Sequence, residues 1–318
     1  MKKTKFFLLA AVVLMCVGIA FAAFGTVQGG TWNFKIKNFK VYKGSEDYIN
    51  ETVKLDAFDK VVVNTSTVDI NIIKGNEYAI SYNVPEDQKP QISNNGGILT
   101  VDIDNEDFSF LNFSFFGSFE DSYVNITVPD TDSTKIVKIE SSTGDIRISD
   151  LAIDGSISTS TGDINLKNNK MSDMIFKVST GDITIDNCTM NSLETKASTG
   201  EVNIINSACA GKYTAKTSTG DITTKNTDFK AFSVEGSTSD ISLDNAMIDN
   251  IDIKTSTGEV MLGLKGDEES YNVNIHTSTG DIRIGNEEFE KNYKKTTSTI
   301  NSININTSTG DVDIDFGK

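Results

Sequence analysis

Histidine and tryptophan each occur once, and proline and cysteine three times each, in a chain of 318 residues. A single histidine, His276, at what reads as an outward strand position, leaves no other imidazole from which to build a Ser-His-Asp or Cys-His constellation. Two cysteines without a neighbouring histidine do not make a zinc site. Positive charge is also scarce: 29 Lys and Arg stand against 45 Asp and Glu, a net charge of -16. Nucleic acid would be repelled by that field, which excludes it as a partner. Apolar residues make up 37%, low for a compact domain, and with so few prolines and 24 glycines the composition favours strands and corners over helices. No wall-sorting motif is visible near the C-terminus.

What is present begins with Lys2, Lys3 and Lys5, followed by an uncharged, mostly apolar run from Phe6 to Phe24. At about 1.5 Å per residue such a helix is long enough for a marginal membrane span. Residues 1–25 are therefore expected to act in export. They are retained as a single-pass membrane anchor, or removed at the small-x-small sequence Ala20-Phe21-Ala22 to release a secreted protein. Because the lysines precede the apolar run, the rest of the chain is expected on the outer side of a bacterial membrane.

A repeat then organises the chain. Corner glycines stand at Gly144, Gly162, Gly181, Gly200, Gly220, Gly258, Gly280 and Gly310, with Ser239 as a substitute, at steps of 18 to 20 residues that lengthen to 22 and 30 at the end. Two and four residues after each corner come apolar pairs such as Ile164 and Leu166, or Ile183 and Ile185. Seven and five residues before it come others, such as Ile251 and Ile253, or Ile303 and Ile305. Each set alternates with polar residues as a half-buried strand does. The inward positions change from odd to even across Ser-Thr-Gly-Asp, so the chain must bend there, and glycine permits the bend. Asn168, Asn187, Asn206, Asn226, Asn245 and Asn286, with Asp150, mark a second corner, because asparagine tolerates left-handed backbone. Stacked coils would align these amides in a ladder. A looser third side is expected around Met171, Met174, Met190, Leu193, Phe229 and Phe232.

The pattern predicts an all-β fold: a parallel β-solenoid, or β-helix, of about nine regular coils over residues 135–318. At about 4.8 Å per coil it would be on the order of 40 Å long, and right-handed by the general crossover preference. Val61, Val63, Ile70 and Ile72 place a degenerate opening rung within 58–74. Residues 55–134 as a whole read as an irregular, partly antiparallel opening and cap, with 26–54 as a lead-in from the N-terminal hydrophobic helix. Residues 265–270 and 286–300 depart from the period and read as loops leaving the coils.

The lysine-led apolar N-terminus, the opening rung and the Ser-Thr-Gly-Asp-Ile coils together resemble the bacterial putative-adhesin β-solenoid family over roughly residues 55–318. Some members of that family are membrane-anchored and belong to cell-envelope stress operons, so the resemblance implies an envelope role. It carries over no catalytic residues.

The acids after the corners, from Asp145 to Asp311, would stack with a repulsion of about 1 kcal/mol per adjacent pair even in a water-like dielectric. Hydration and hydrogen bonds from nearby hydroxyls and corner amides would offset this, or else Ca²⁺ ions bridging the coils. The nonapeptide of calcium-binding β-rolls is absent, so the reading assigns no metal and no cofactor. Phe108, Phe110, Phe113, Phe115, Phe116 and Phe119 form an aromatic patch, expected to cap the solenoid or to touch lipid, glycan or protein. Cys188 and Cys209, on successive coils, are within reach of a disulfide or remain buried thiols.

Acids recur in every coil instead of gathering at one, which fits a structural repeat better than a catalytic pair. The sequence thus reads as a non-enzymatic surface module for adhesion, binding or scaffolding in the envelope, with an envelope protein, glycan or lipid as partner. The alternatives are a polysaccharide-active enzyme on a β-helix and a self-assembling surface protein whose C-terminal coil exposes a free edge.

Overall fold

The computed structural model describes residues 33–37, 40–43, 48–103, 109–114, 121–129 and 135–317. The N-terminal hydrophobic segment lies outside them, and among the described residues no helix is long and apolar enough to cross a membrane. The chain divides into two compact units. One contains a three-stranded antiparallel sheet in which Asn33–Lys37 runs between Lys40–Lys43 and Ser109–Ser114.

The other unit is a β-solenoid with two long, mostly parallel sheets of 13 and 14 strands. One coil shows how the sequence makes it. The strand Lys170–Thr180 buries Met174, Phe176 and Val178 and exposes the residues between them. The chain turns at Gly181, and Ile183–Asp186 continues in the second sheet with Ile183 and Ile185 fully buried. The expected slip of the inward pattern is thus a passage from one sheet to the other. Each coil then stacks in register on the next: Ile164 pairs with Ile183, Ile183 with Val202, and Val202 with Ile222. The equivalent side chains form one continuous apolar core, in which each fully buried aliphatic contributes about 1.5–3 kcal/mol.

Two sheets, not three sides, account for the coil. The apolar residues assigned to a looser third side lie at the start of unusually long strands of the first sheet, such as Thr189–Thr199 and Ala208–Thr219. Register shifts between Met190 and Leu193, and between Cys209 and Lys212, absorb the coils' differing lengths.

The order of coils in space differs from their order in sequence at both ends. The last strands, Ser302–Thr309 and Val312–Phe316, do not end the stack. They lie between the Gly258 coil and the Gly280 coil, paired in parallel with both. The free C-terminal edge on which the self-assembly reading rested therefore does not exist. At the other end, Lys60–Thr65 and Asp69–Gly75 form the expected opening rung, stacked directly on the Gly144 coil. Beyond it lies a further coil made of Ile98–Ile103 and Tyr123–Pro129. Its two strands read as part of the irregular region because no Ser-Thr-Gly-Asp corner joins them.

Antiparallel strands close both ends. Gln91–Asn95 covers Ile98–Ile103, and Ala79–Pro85 covers Tyr123–Pro129. At the C-terminal end Glu287–Phe289 covers the Gly280 coil in one sheet and Asn292–Lys295 covers it in the other. Residues 286–300 thus supply two short edge strands and are not simply a loop leaving the solenoid, and their Glu and Lys content suits a strand that must not recruit another chain.

Candidate functional site

The corner is fixed by backbone crowding. Gly162 has φ +136°, and a Cβ there would sit 2.3 Å from the carbonyl oxygen of Gly144 in the coil below. No side chain fits, which explains why the motif repeats. The aspartate that follows is engaged by the next coil: the N–H of Asp163 donates to Asp145 Oδ1 at 2.9 Å, that of Asp182 to Asp163 Oδ1 at 2.9 Å, and that of Glu201 to Asp182 Oδ1 at 2.8 Å. Among the described residues the ladder lapses above Glu201 and Glu259, whose longer side chains do not present an oxygen to the next amide. At its base Arg147 pairs with Asp145 at 2.6 Å and Asp69 at 3.1 Å. Backbone amides, with this guanidinium, are what offset the stacking of carboxylates. No cluster of three or more metal-ligating side chains occurs among the described residues.

The second corner also forms as a ladder. Asn168, Asn187, Asn206, Asn226 and Asn245 take φ between +50° and +57°. Asn187 Nδ2 donates to Asn168 Oδ1 at 2.7 Å and Asn245 Nδ2 to Asn226 Oδ1 at 2.7 Å, whereas Asn206 turns to Asp186 instead. Asn286 does not belong to it, because Gly285 takes the left-handed conformation one residue earlier and turns the chain into an antiparallel strand.

Just inside this corner lies a column that sequence reasoning missed. Asn169, Cys188, Ser207 and Thr227 are buried, and each accepts the backbone N–H of the coil before it. Leu151 N–H donates to Asn169 Oδ1 at 3.0 Å, Asn169 N–H to Cys188 Sγ at 3.3 Å, Cys188 N–H to Ser207 Oγ at 3.0 Å and Ser207 N–H to Thr227 Oγ1 at 3.3 Å. The signal was available as a polar residue seven places after Gly162, Gly181, Gly200 and Gly220, hidden because its type changes from coil to coil.

That column also bears on the two cysteines, read from the sequence as either a disulfide or buried thiols. Cys188 and Cys209 are both free, buried thiols. Cys209 is in register with Met190, two positions beyond Cys188, so the pair is displaced along the strand as well as by one coil. Burial pushes the Cys188 thiol up to about 11. Of the aromatic patch, Phe108, Phe115, Phe116 and Phe119 lie outside the described residues, while Phe110 and Phe113 fall on Ser109–Ser114. His276 is exposed, with Nδ1 2.8 Å from Asn292 Oδ1 on the covering edge strand.

The outward face of the first sheet presents its side chains in columns. Lys177, Lys196 and Lys216 are paired in register on three successive coils. Two residues further along each strand, Ser179, Ser198 and Ser218 form an exposed column. Together they line a shallow groove of about 340 Å³. Lys196 pairs with Glu194 at 2.5 Å and Lys216 with Glu235 at 2.7 Å. These bonds to lysine hold both glutamates below the usual carboxylate range. Such an array can bind and orient an extended ligand across the strands.

One solved structure supports the architecture. A protein from Parabacteroides distasonis described as a putative lipid binding protein is 13% identical, with 86% of this chain and 97% of that one covered at a TM-score of 0.51. A putative adhesin from Bacteroides fragilis is 13% identical over 85% of this chain and 98% of its own, at a TM-score of 0.47. Another from Parabacteroides distasonis is 12% identical over 85% and 98%, at 0.46. No curated protein matches the chain. The Toastrack DUF4097 family matches residues 58–315, a span that holds every corner glycine of the repeat, and the chain belongs to that family.

Proposed function

We propose that this chain is an exported, non-enzymatic binding module of the bacterial envelope, a right-handed solenoid held outside the membrane by its N-terminal segment. The observation that carries this reading is the register of the outward columns. Identical or related side chains recur on successive coils, as in Lys177, Lys196 and Lys216. A surface of that kind offers many weak, equivalent contacts whose sum exceeds each one.

The chemistry of the corners supports a binding role over a hydrolytic one. Glycosidases need two carboxyl groups about 5 to 10 Å apart with distinct environments. Here acids recur in every coil, and most of the aspartates accept a backbone amide from the adjacent coil. At the base of the ladder Asp69 and Asp145 differ from the rest in sharing Arg147, an arrangement of two acids around one cation and not of an acid and a nucleophile.

Cross-linking on intact cells with a membrane-impermeant amine reagent tests the proposal. Lysines of 135–318 should react from outside, and the full-length protein should capture a defined envelope glycan, lipid or protein. A solenoid unreachable from outside, or one that captures no envelope component, contradicts the reading.

A further inference from the structure

We propose that the groove along Lys177, Lys196 and Lys216 binds a linear anionic polysaccharide, laid across the strands along the stacking direction; this rests on the binding-module reading above. The geometry defines a line. Register pairing sets the three lysines one strand apart, which is about 4.8 Å per step. The line is bounded, because Ser158 precedes Lys177 in the column and Glu235 follows Lys216. A narrow chain matches three cations in a row better than the plane of a membrane does.

The protein's net charge of -16 opposes any polyanion at long range. The local balance decides otherwise. The corner aspartates lie five residues along the chain from these lysines and past the turn at Gly181, as Asp182 does from Lys177, so at most about 17 Å away at 3.4 Å per residue. Exposed charges separated by more than the Debye length, about 8 Å at physiological ionic strength, are largely screened from one another. The carboxylates within reach are Glu194 and Glu235, and their pairs with Lys196 and Lys216 are exposed. Exposed pairs of this kind are weak and exchange readily for a ligand. Lys177 has no ion pair among the described residues.

The neighbours point to charge-assisted hydrogen bonding instead of stacking. The outward residues two places before the lysines are Ile175, Glu194 and Thr214, and two places after them come serines. No ring is available as a platform for a neutral sugar. Serine hydroxyls beside ammonium groups suit carboxylates and the hydroxyls between them.

The test measures binding of the full-length protein to polygalacturonate, to neutral dextran and to phosphatidylglycerol vesicles. It compares the wild type with K177Q/K196Q/K216Q and with the equal-charge control K167Q/K170Q/K225Q. The inference expects polygalacturonate binding that weakens with salt and falls about tenfold or more in the first variant, with the control unchanged and both variants melting at the wild-type temperature. Three results overturn it: no polygalacturonate binding, equal loss in both variants, or equal binding of dextran. Vesicle binding that depends on the same lysines while polygalacturonate binding does not assigns the groove to lipid and also overturns it. If any of these results comes with continued capture of an envelope component on intact cells, the anionic site fails and the binding-module reading stands.

Discussion

Gly236 and Ser239 exchange the roles that threonine and glycine hold in the coils on either side. Gly236 lies in register between Thr217 and Thr255, both buried, and Ser239 occupies the corner where those coils have Gly220 and Gly258. The Ser239 side chain turns inward, and a Cβ added to Gly236 would lie 3.1 Å from Ser239 Oγ. The seryl group fills the space that threonine fills elsewhere. Gly236→Thr alone should then destabilise by about 1–3 kcal/mol through overpacking. Adding Ser239→Gly should recover most of that loss, with a coupling of about 1–2 kcal/mol between the two sites in urea unfolding. Additive effects would show that the two residues do not share the space.

The corner glycines should be intolerant of alanine. Gly181 has φ +137°, and a Cβ there would meet Gly162 O at 2.2 Å. The strained backbone alone costs about 1–3 kcal/mol, and displacement of the neighbouring coil adds to it. Gly181→Ala should lower the urea midpoint clearly, whereas Gly266→Ala, where nothing lies within 4 Å of the added atom, should cost only the strain of its positive φ. Equal losses would mean that coil stacking does not crowd the corner.

How much of this was legible in the sequence depended on how regular the residue was. Ile146, Ile164 and Ile183 announced the core because their type hardly varies. The buried column of Asn169, Cys188, Ser207 and Thr227 did not, because four different side chains perform one task, accepting an amide from the coil below. The position of Ser302–Thr309 was not legible either. Its motif is equivalent to its neighbours', and nothing in a repeat specifies which neighbour it stacks on. The column of outward Lys177, Lys196 and Lys216 was not legible either, since a column exists only once register is known.

Cys188 should be replaceable by serine and not by valine. Its sulfur accepts the Asn169 N–H and donates to Asp186 O at 3.3 Å, and Ser207 makes the equivalent donation to Ile205 O at 2.7 Å one coil on. Cys188→Val should cost about 1–3 kcal/mol by leaving that buried amide unpaired, with Cys188→Ser markedly closer to wild type. The buried thiol should resist alkylation in the native state, and non-reducing mass analysis under oxidising conditions should find no Cys188–Cys209 bond. A native disulfide would refute the register in this region.

The two ends should respond to opposite pH extremes. Near the N-terminal end Glu51 accepts from Tyr82 and pairs with Lys89 at 2.9 Å, and these hydrogen bonds, Tyr82 first, hold its carboxyl below the usual value. A depressed carboxylate contributes stability that is present above its unfolded pKa and lost as pH falls through the folded one. Glu51→Gln should therefore reduce the loss of melting temperature on acidification below about pH 4.5. At the C-terminal end burial, aided by Glu268, raises Tyr293 to about 12. The stability it gives is present below the unfolded value of 10 and lost as pH rises towards 12. Tyr293→Phe should flatten that alkaline limb. Unchanged pH profiles in both variants would show that these groups do not act as described.

The account depends most on coils held in register, with the C-terminal coil between two that precede it in sequence. Cysteine cross-linking reads this directly, in a background where Cys16, Cys188 and Cys209 are serine. Asp313 is in register with Met261 on one side and Arg283 on the other. Mild oxidation should form a disulfide in M261C/D313C and in R283C/D313C, and none in M261C/R283C, whose positions are two strands, about 9.6 Å, apart. Efficient cross-linking of M261C/R283C, with none in M261C/D313C, would place the coils in their sequence order and contradict the account.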